Sequence, residues 1–172
     1  FPVITAAAMI GMLNKLAAGG LRVALGKITN TYSVDENTLL KRSRGRSSKL
    51  RMSPANTANF SSAIIASGRG IALSKFEPAP GRTPTPRNKR LSVEVKWGAR
   101  KTIPHVFLQR VSSGHIGVFE RPIVSGRRVG RYGPGRPRLL HLMGPGAAVM
   151  LKSETVEDAT TNWIDDNRER IF

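Results

Sequence analysis

Residues 91–122, LSVEVKWGARKTIPHVFLQRVSSGHIGVFERP, decide how the chain folds. Leu91, Val93, Val95 and Trp97 alternate with Ser92, Glu94 and Lys96, the period of two that marks a half-buried strand. Gly98 follows as a turn residue. Residues 102–111 make a second run, with Val106, Phe107 and Leu108 at its centre. Ser112, Ser113 and Gly114 form a hinge, and Gly114 suits the left-handed position of a bulged hairpin. Residues 115–121 return as a strand with Ile116 and Val118 on one face and Phe119 on the other. The pattern predicts an antiparallel meander that the rest of the chain packs around.

On its N-terminal side, residues 4–30 read as helix. Met9, Met12, Leu13, Leu16 and Ala17 recur at three- and four-residue spacing, and Leu21, Ala24, Leu25 and Ile28 resume the stripe. Gly19 and Gly20 lie between the two halves, each costing about 1 kcal/mol against Ala, so two segments or a kinked helix are expected. Asp35 is a good N-cap for a short second helix over 36–41. Residues 59–67, with Phe60, Ile64 and Ile65, read as a strand, and Ile71, Leu73 and Phe76 as another after the turn at 67–70. Beyond the meander, residues 139–142 are a short apolar return and Gly144, Pro145 and Gly146 a turn. Ser153 caps a last helix whose first turn holds Glu154 and Glu157 and whose end holds Arg168 and Arg170, the order the helix dipole favours.

These pieces give an α+β class: an N-terminal Ala-rich helix, an antiparallel β meander, a C-terminal helix and long basic loops. As one domain over 1–172, the parts are a helical region at 1–42, a basic arm at 43–58, a sheet at 59–151 with loops at 77–90 and 123–138, and the helix at 153–172. Proline and glycine set the loops apart, since proline supplies no amide to a central strand. The sequence opens on Phe1 rather than Met, so a short upstream piece is expected. No run of 18 apolar residues occurs, so no spanning helix is expected.

Charge is the strongest compositional signal. The 172 residues carry +17, and cysteine is absent, which excludes disulfides and thiolate metal sites. Residues 1–150 hold 25 basic and 5 acidic side chains, +20, whereas residues 151–172 hold 3 and 6, −3. So basic a body meets either a polyanion or acidic proteins. The acidic tail suits docking on a basic neighbour, which another copy of the chain would supply.

The order of pieces resembles the phage minor tail protein Z family of tail-completion and neck proteins. Four stretches carry the likeness: the Ala-rich helix running into VALGKITNTYSVDENTLLKR, then ASGRGIALSKF at 66–76, KTIPHVFLQRVSSGHIGVFERP at 101–122, and LHLMGPGAAVML at 140–151 before the acidic helix. The SGH-x-GVF-x-R string is the most specific. The segments 78–89 and 125–138 are longer and more basic than loops of that family. The resemblance implies a structural virion protein without enzyme activity or cofactor. It implies a homo-oligomeric ring, hexamer or dodecamer, at the neck or upper tail, joined to tail terminator, connector or tail tube proteins. Such a protein resides in the virion and, during assembly, in the host cytoplasm.

Candidate contacts to partners or to DNA in the channel are Lys41, Arg42, Arg44, Arg46, Lys49 and Arg51, then Arg87, Lys89 and Arg90, then Arg127, Arg128, Arg131, Arg136 and Arg138. The same residues also suit solvated loops. Phe107, Phe119 and Trp163 are candidates for the subunit interface. Gly135-Arg136-Pro137-Arg138 has the look of a minor-groove hook, though a loop this rich in Gly, Pro and Arg yields the string by composition. His105, His115 and His141 are too scattered for a metal, Glu94 and Glu120 have basic neighbours, and Asp165 and Asp166 diverge on a helix, so no catalytic or metal set is expected. An alternative reading is a ribosomal-type nucleic-acid-binding protein. Against it stand the 6% aromatic content and the expectation of no aromatic platform on the strands.

Overall fold

The computed structural model describes residues 5–41, 48–81, 90–121, 123–124, 127–128 and 139–171. In chain order the elements are α1 (Ala6–Thr31), α2 (Glu36–Leu40), β1 (Leu50–Ser53), β2 (Ala63–Ala66), β3 (Gly70–Ala72), a 3-10 turn (Leu73–Lys75), β4 (Leu91–Glu94), β5 (Arg100–Ile103), β6 (Val106–Arg110), β7 (Ile116–Glu120), β8 (Ile123–Val124), β9 (Arg127–Arg128), β10 (Leu140–His141), β11 (Met143–Gly146), α3 (Ala147–Leu151) and α4 (Glu154–Ile171). The class is α+β, with helices at both ends and small antiparallel sheets between. The chain divides into two compact units, one of residues 1–31, 35–69 and 145–172, the other of residues 32–34 and 70–144.

In the first unit α1 packs along α4 and against the β1–β2 hairpin. Leu16, Ala17, Gly20, Ala24, Leu25 and Ile28 form its buried stripe. By length and composition alone α1 is apolar enough to cross a membrane, though it holds no unbroken apolar run of 18, and here its buried stripe covers protein. Of the two expectations at Gly19 and Gly20, separate segments do not form: α1 is one helix of 26 residues. Close approach of α4 is the reason. A Cβ on Gly19 would lie 1.8 Å from the Trp163 ring, and one on Gly20 3.1 Å from Ile164. The pair marks a contact, and packing outweighs its low helix propensity.

Several boundaries differ from the sequence pattern. β1 lies inside the stretch expected to be an unstructured basic arm, because Leu50 is buried while Arg51, opposite Ile65, points outward. Of the expected strand over 59–67 only Ala63–Ala66 is a strand, and Phe60 stays exposed. Asp35 caps α2 as expected, accepting from the Asn37 amide at 3.1 Å. Ser153 does not act as a side-chain cap: its hydroxyl donates back to Met150 O at 2.7 Å, while its carbonyl takes the Val156 and Glu157 amides. Opposite the solvent side of α4 lie Val156 and Thr160, both buried.

The second unit holds the meander. β4 pairs with β5, and β10, β7 and β6 form a three-stranded antiparallel sheet in that order. The run expected over 102–111 is cut at Pro104 and His105, where proline offers no amide and His105 adopts φ +65°, so it becomes β5 and β6. β4 ends before Val95, and Trp97 is exposed beside Gly98, whose φ of +74° the turn requires. Gly114 takes φ +79° in the β6–β7 turn, as the sequence implied. Ile71, Leu73 and Phe76 are buried, but a strand followed by the 3-10 turn presents them, not one alternating strand. Gly144 lies in β11 rather than in a turn, and a Cβ there would meet Phe76 at 2.7 Å. The expected loop at 123–138 contains the β8–β9 pair.

Candidate functional site

Of the expected basic contacts, Lys41, Arg51 and Arg90 are exposed and Lys49 is half-buried at the entry to β1. Arg127 and Arg128 form β9. Arg42, Arg44, Arg46, Arg87, Lys89, Arg131, Arg136 and Arg138 lie outside the described residues, as does the Gly135-Arg136-Pro137-Arg138 string.

The aromatic interface candidates part ways. Trp163 is half-buried over Gly19 in the first unit. Phe119 is buried in the second, 7% exposed. Phe107 is half-buried beside it.

What the strands bring together in that second unit was not foreseen. Register sets Phe107 opposite Phe119 across β6 and β7, and His141 opposite Phe119 across β7 and β10. The Phe107 and Phe119 centroids are 6.4 Å apart, Phe119 and His141 stack at 4.9 Å, and His141 meets His115 edge-on at 5.2 Å. The Arg121 guanidinium lies over the Phe107 ring, 5.2 Å from its centroid. Gly117 sits within the row, where a Cβ would come 2.7 Å from His141 Nε2 and 2.9 Å from the Phe119 ring. Val106, Leu108 and Val118, on alternate positions, turn to the opposite face and are buried. Burial of His141 and the neighbouring His115 charge hold the His141 pKa below its usual value, and its Nε2 is buried with no hydrogen-bond partner among the described residues. The signal was present in the sequence as alternation, Phe107 with Gln109 and His115 with Gly117 and Phe119, but only register aligns the two lists.

The carboxylates have structural work. Glu94 accepts from the Gly98 amide at 2.6 Å and pairs with Arg100 at 2.7 Å, so it fastens the β4–β5 turn. Arg100 also donates to Glu77 O at 3.0 Å. Among the described residues no group of three or more His, Cys, Asp or Glu could hold a metal ion. On α4, Glu154, Asp158, Asp165 and Glu169 recur at four- and seven-residue spacing on one exposed side. No family model, curated protein or solved structure matches the chain.

Proposed function

We propose that the chain is a non-enzymatic structural protein of a phage neck or upper tail, which assembles copies into a ring and joins neighbouring virion proteins. The observation that carries this reading is the stretch 101–122, where the family likeness is most specific and whose residues 101–120 fold as the β5, β6 and β7 strands with a tight turn at Gly114. Two features of the fold support it. The sheets are small, of two and three strands, so most strands lie at a sheet edge, a position that can pair with another chain. Charge is also divided, an acidic outer side on α4 against a strongly basic remainder, which favours head-to-tail contact between copies. A contact of that kind closes into a ring when its rotation divides a full turn.

Mass measurement of the purified chain, with imaging of the same sample, tests the proposal. The expected result is a closed ring of defined stoichiometry, and the chain among the proteins of purified particles. A species that stays monomeric at all concentrations and is missing from particles would overturn it.

A further inference from the structure

We propose that the outer face of the β10–β7–β6 sheet is a stacking surface for single-stranded nucleic acid. Phe107 and His115 would meet the bases, and Arg121 would serve both as a stacking plane and as a phosphate contact. The inference goes beyond the assembly role and does not depend on it.

The row of rings is the first ground. Four aromatic side chains, three on strands and His115 just before β7, run continuously from Phe107 through Phe119 and His141 to His115, each within 6.4 Å of the next. Phe119 is buried and fixes the spacing, while His141 and Phe107 are half-buried and His115 exposed. Bases stack on such rings without regard to sequence because every base has a π-face. Gly117 is the second ground. A side chain there would strike both His141 and Phe119, so the bare backbone is what lets the two rings share the face. A third is charge. Arg121 already lies on the Phe107 ring, and alternation sends Glu120, the one acidic residue of β7, to the other side of the sheet. In sequence, the connection from β7 to β10, residues 121–139, holds six arginines and no acidic residue.

A paired duplex hides its base faces within its own stack, so the surface should prefer unpaired strands. The test is fluorescence anisotropy of labelled oligothymidylate and oligouridylate, each compared with duplex DNA of equal length across a salt series. The wild-type chain is expected to bind one or both single strands at least about tenfold more tightly than duplex. Phe107→Leu keeps apolar volume beneath Arg121 but removes the flat ring, and should weaken single-strand binding about tenfold with the salt slope unchanged. Arg121→Ala should weaken it with a slope lower by about 0.7, one phosphate's worth for a single strand. His115→Ala changes an exposed residue, so its loss of affinity is readable even if Phe107→Leu fails to fold, which thermal unfolding would reveal. Duplex bound as tightly as single strands, no binding of either, or His115→Ala and folded Phe107→Leu both at wild-type affinity would each overturn the proposal.

Discussion

Asn14 shows how much one side chain can hold in place. It stands on α1, yet its Nδ2 donates to Ala55 O at 3.2 Å and its Oδ1 accepts from Ala55 N at 2.7 Å. Both backbone groups of a buried residue after β1 are satisfied by this one amide. Asn14→Ala strands the pair, and the expected loss is about 2 kcal/mol, read as a lower urea midpoint with an unchanged slope. His141 is the second case, and its effect depends on pH. Its native pKa lies below the unfolded value of about 6.5, so the unfolded chain takes up a proton that the native chain refuses. Stability therefore rises with pH through that window and falls on acidification below about pH 6.5, while above it His141 contributes no pH dependence. Burial comes first among the causes, and His115, whose ring His141 meets, adds to the cost of a new cation. His141→Phe keeps an aromatic ring on Phe119 and should flatten the slope of stability between roughly pH 7 and pH 5, measured by denaturant titration at each pH.

At the scale of elements, the glycines of α1 have opposite meanings. Gly19 lies where α4 comes closest, and Gly19→Ala should cost about 1–3 kcal/mol because the Trp163 ring has to move. Gly26 is exposed with nothing near its missing Cβ, so Gly26→Ala should gain about 0.5–1 kcal/mol from propensity alone. Thermal unfolding of the two variants side by side checks the difference in sign, and pairing Gly19→Ala with Trp163→Ala should recover part of the loss, since the clash goes with the ring. Helix periodicity reads both glycines as the same defect, because it knows each residue's local cost and not what arrives from residue 163. The same blindness explains the strands. Alternation read over 91–97 and 115–121 located β4 and β7, though it ran three residues past the end of β4. β1 was not, since four residues buried on one side are a faint pattern within a run of cations. Nor was the aromatic row, for its members come from strands 12 to 34 residues apart in sequence, Phe107 to Phe119 and Phe107 to His141. Pairing register, which brings them together, is set by turns and by a connection whose composition shows only charge.

For the whole molecule the division of charge is the property with the widest reach. The chain carries +17, yet four carboxylates on α4 share one exposed side, and among the described residues none of the four pairs with a cation of its own chain. Isolated surface ion pairs contribute about 0–1 kcal/mol each, too little to fix a helix to its own body but enough, when several act together across an interface, to orient a second copy. Association through this side should then be steered by salt: strong at low ionic strength, and weakening as the Debye length contracts from about 30 Å toward 3 Å. Replacing Glu154 and Glu169 with Gln and Asp158 and Asp165 with Asn removes the charge while leaving α4's buried side, Val156 and Thr160, untouched. The variant should melt within about 0.5 kcal/mol of the parent, as changes at exposed sites do, so a difference in assembly would not reflect unfolding. Sedimentation at low and high salt checks the outcome. Parent chains should shift from large to small species as salt rises, and the neutralised chain should be small throughout. Were both to assemble alike at every salt concentration, α4's outer side would have no part in the contact, and the open strand edges would be the surface left to carry it.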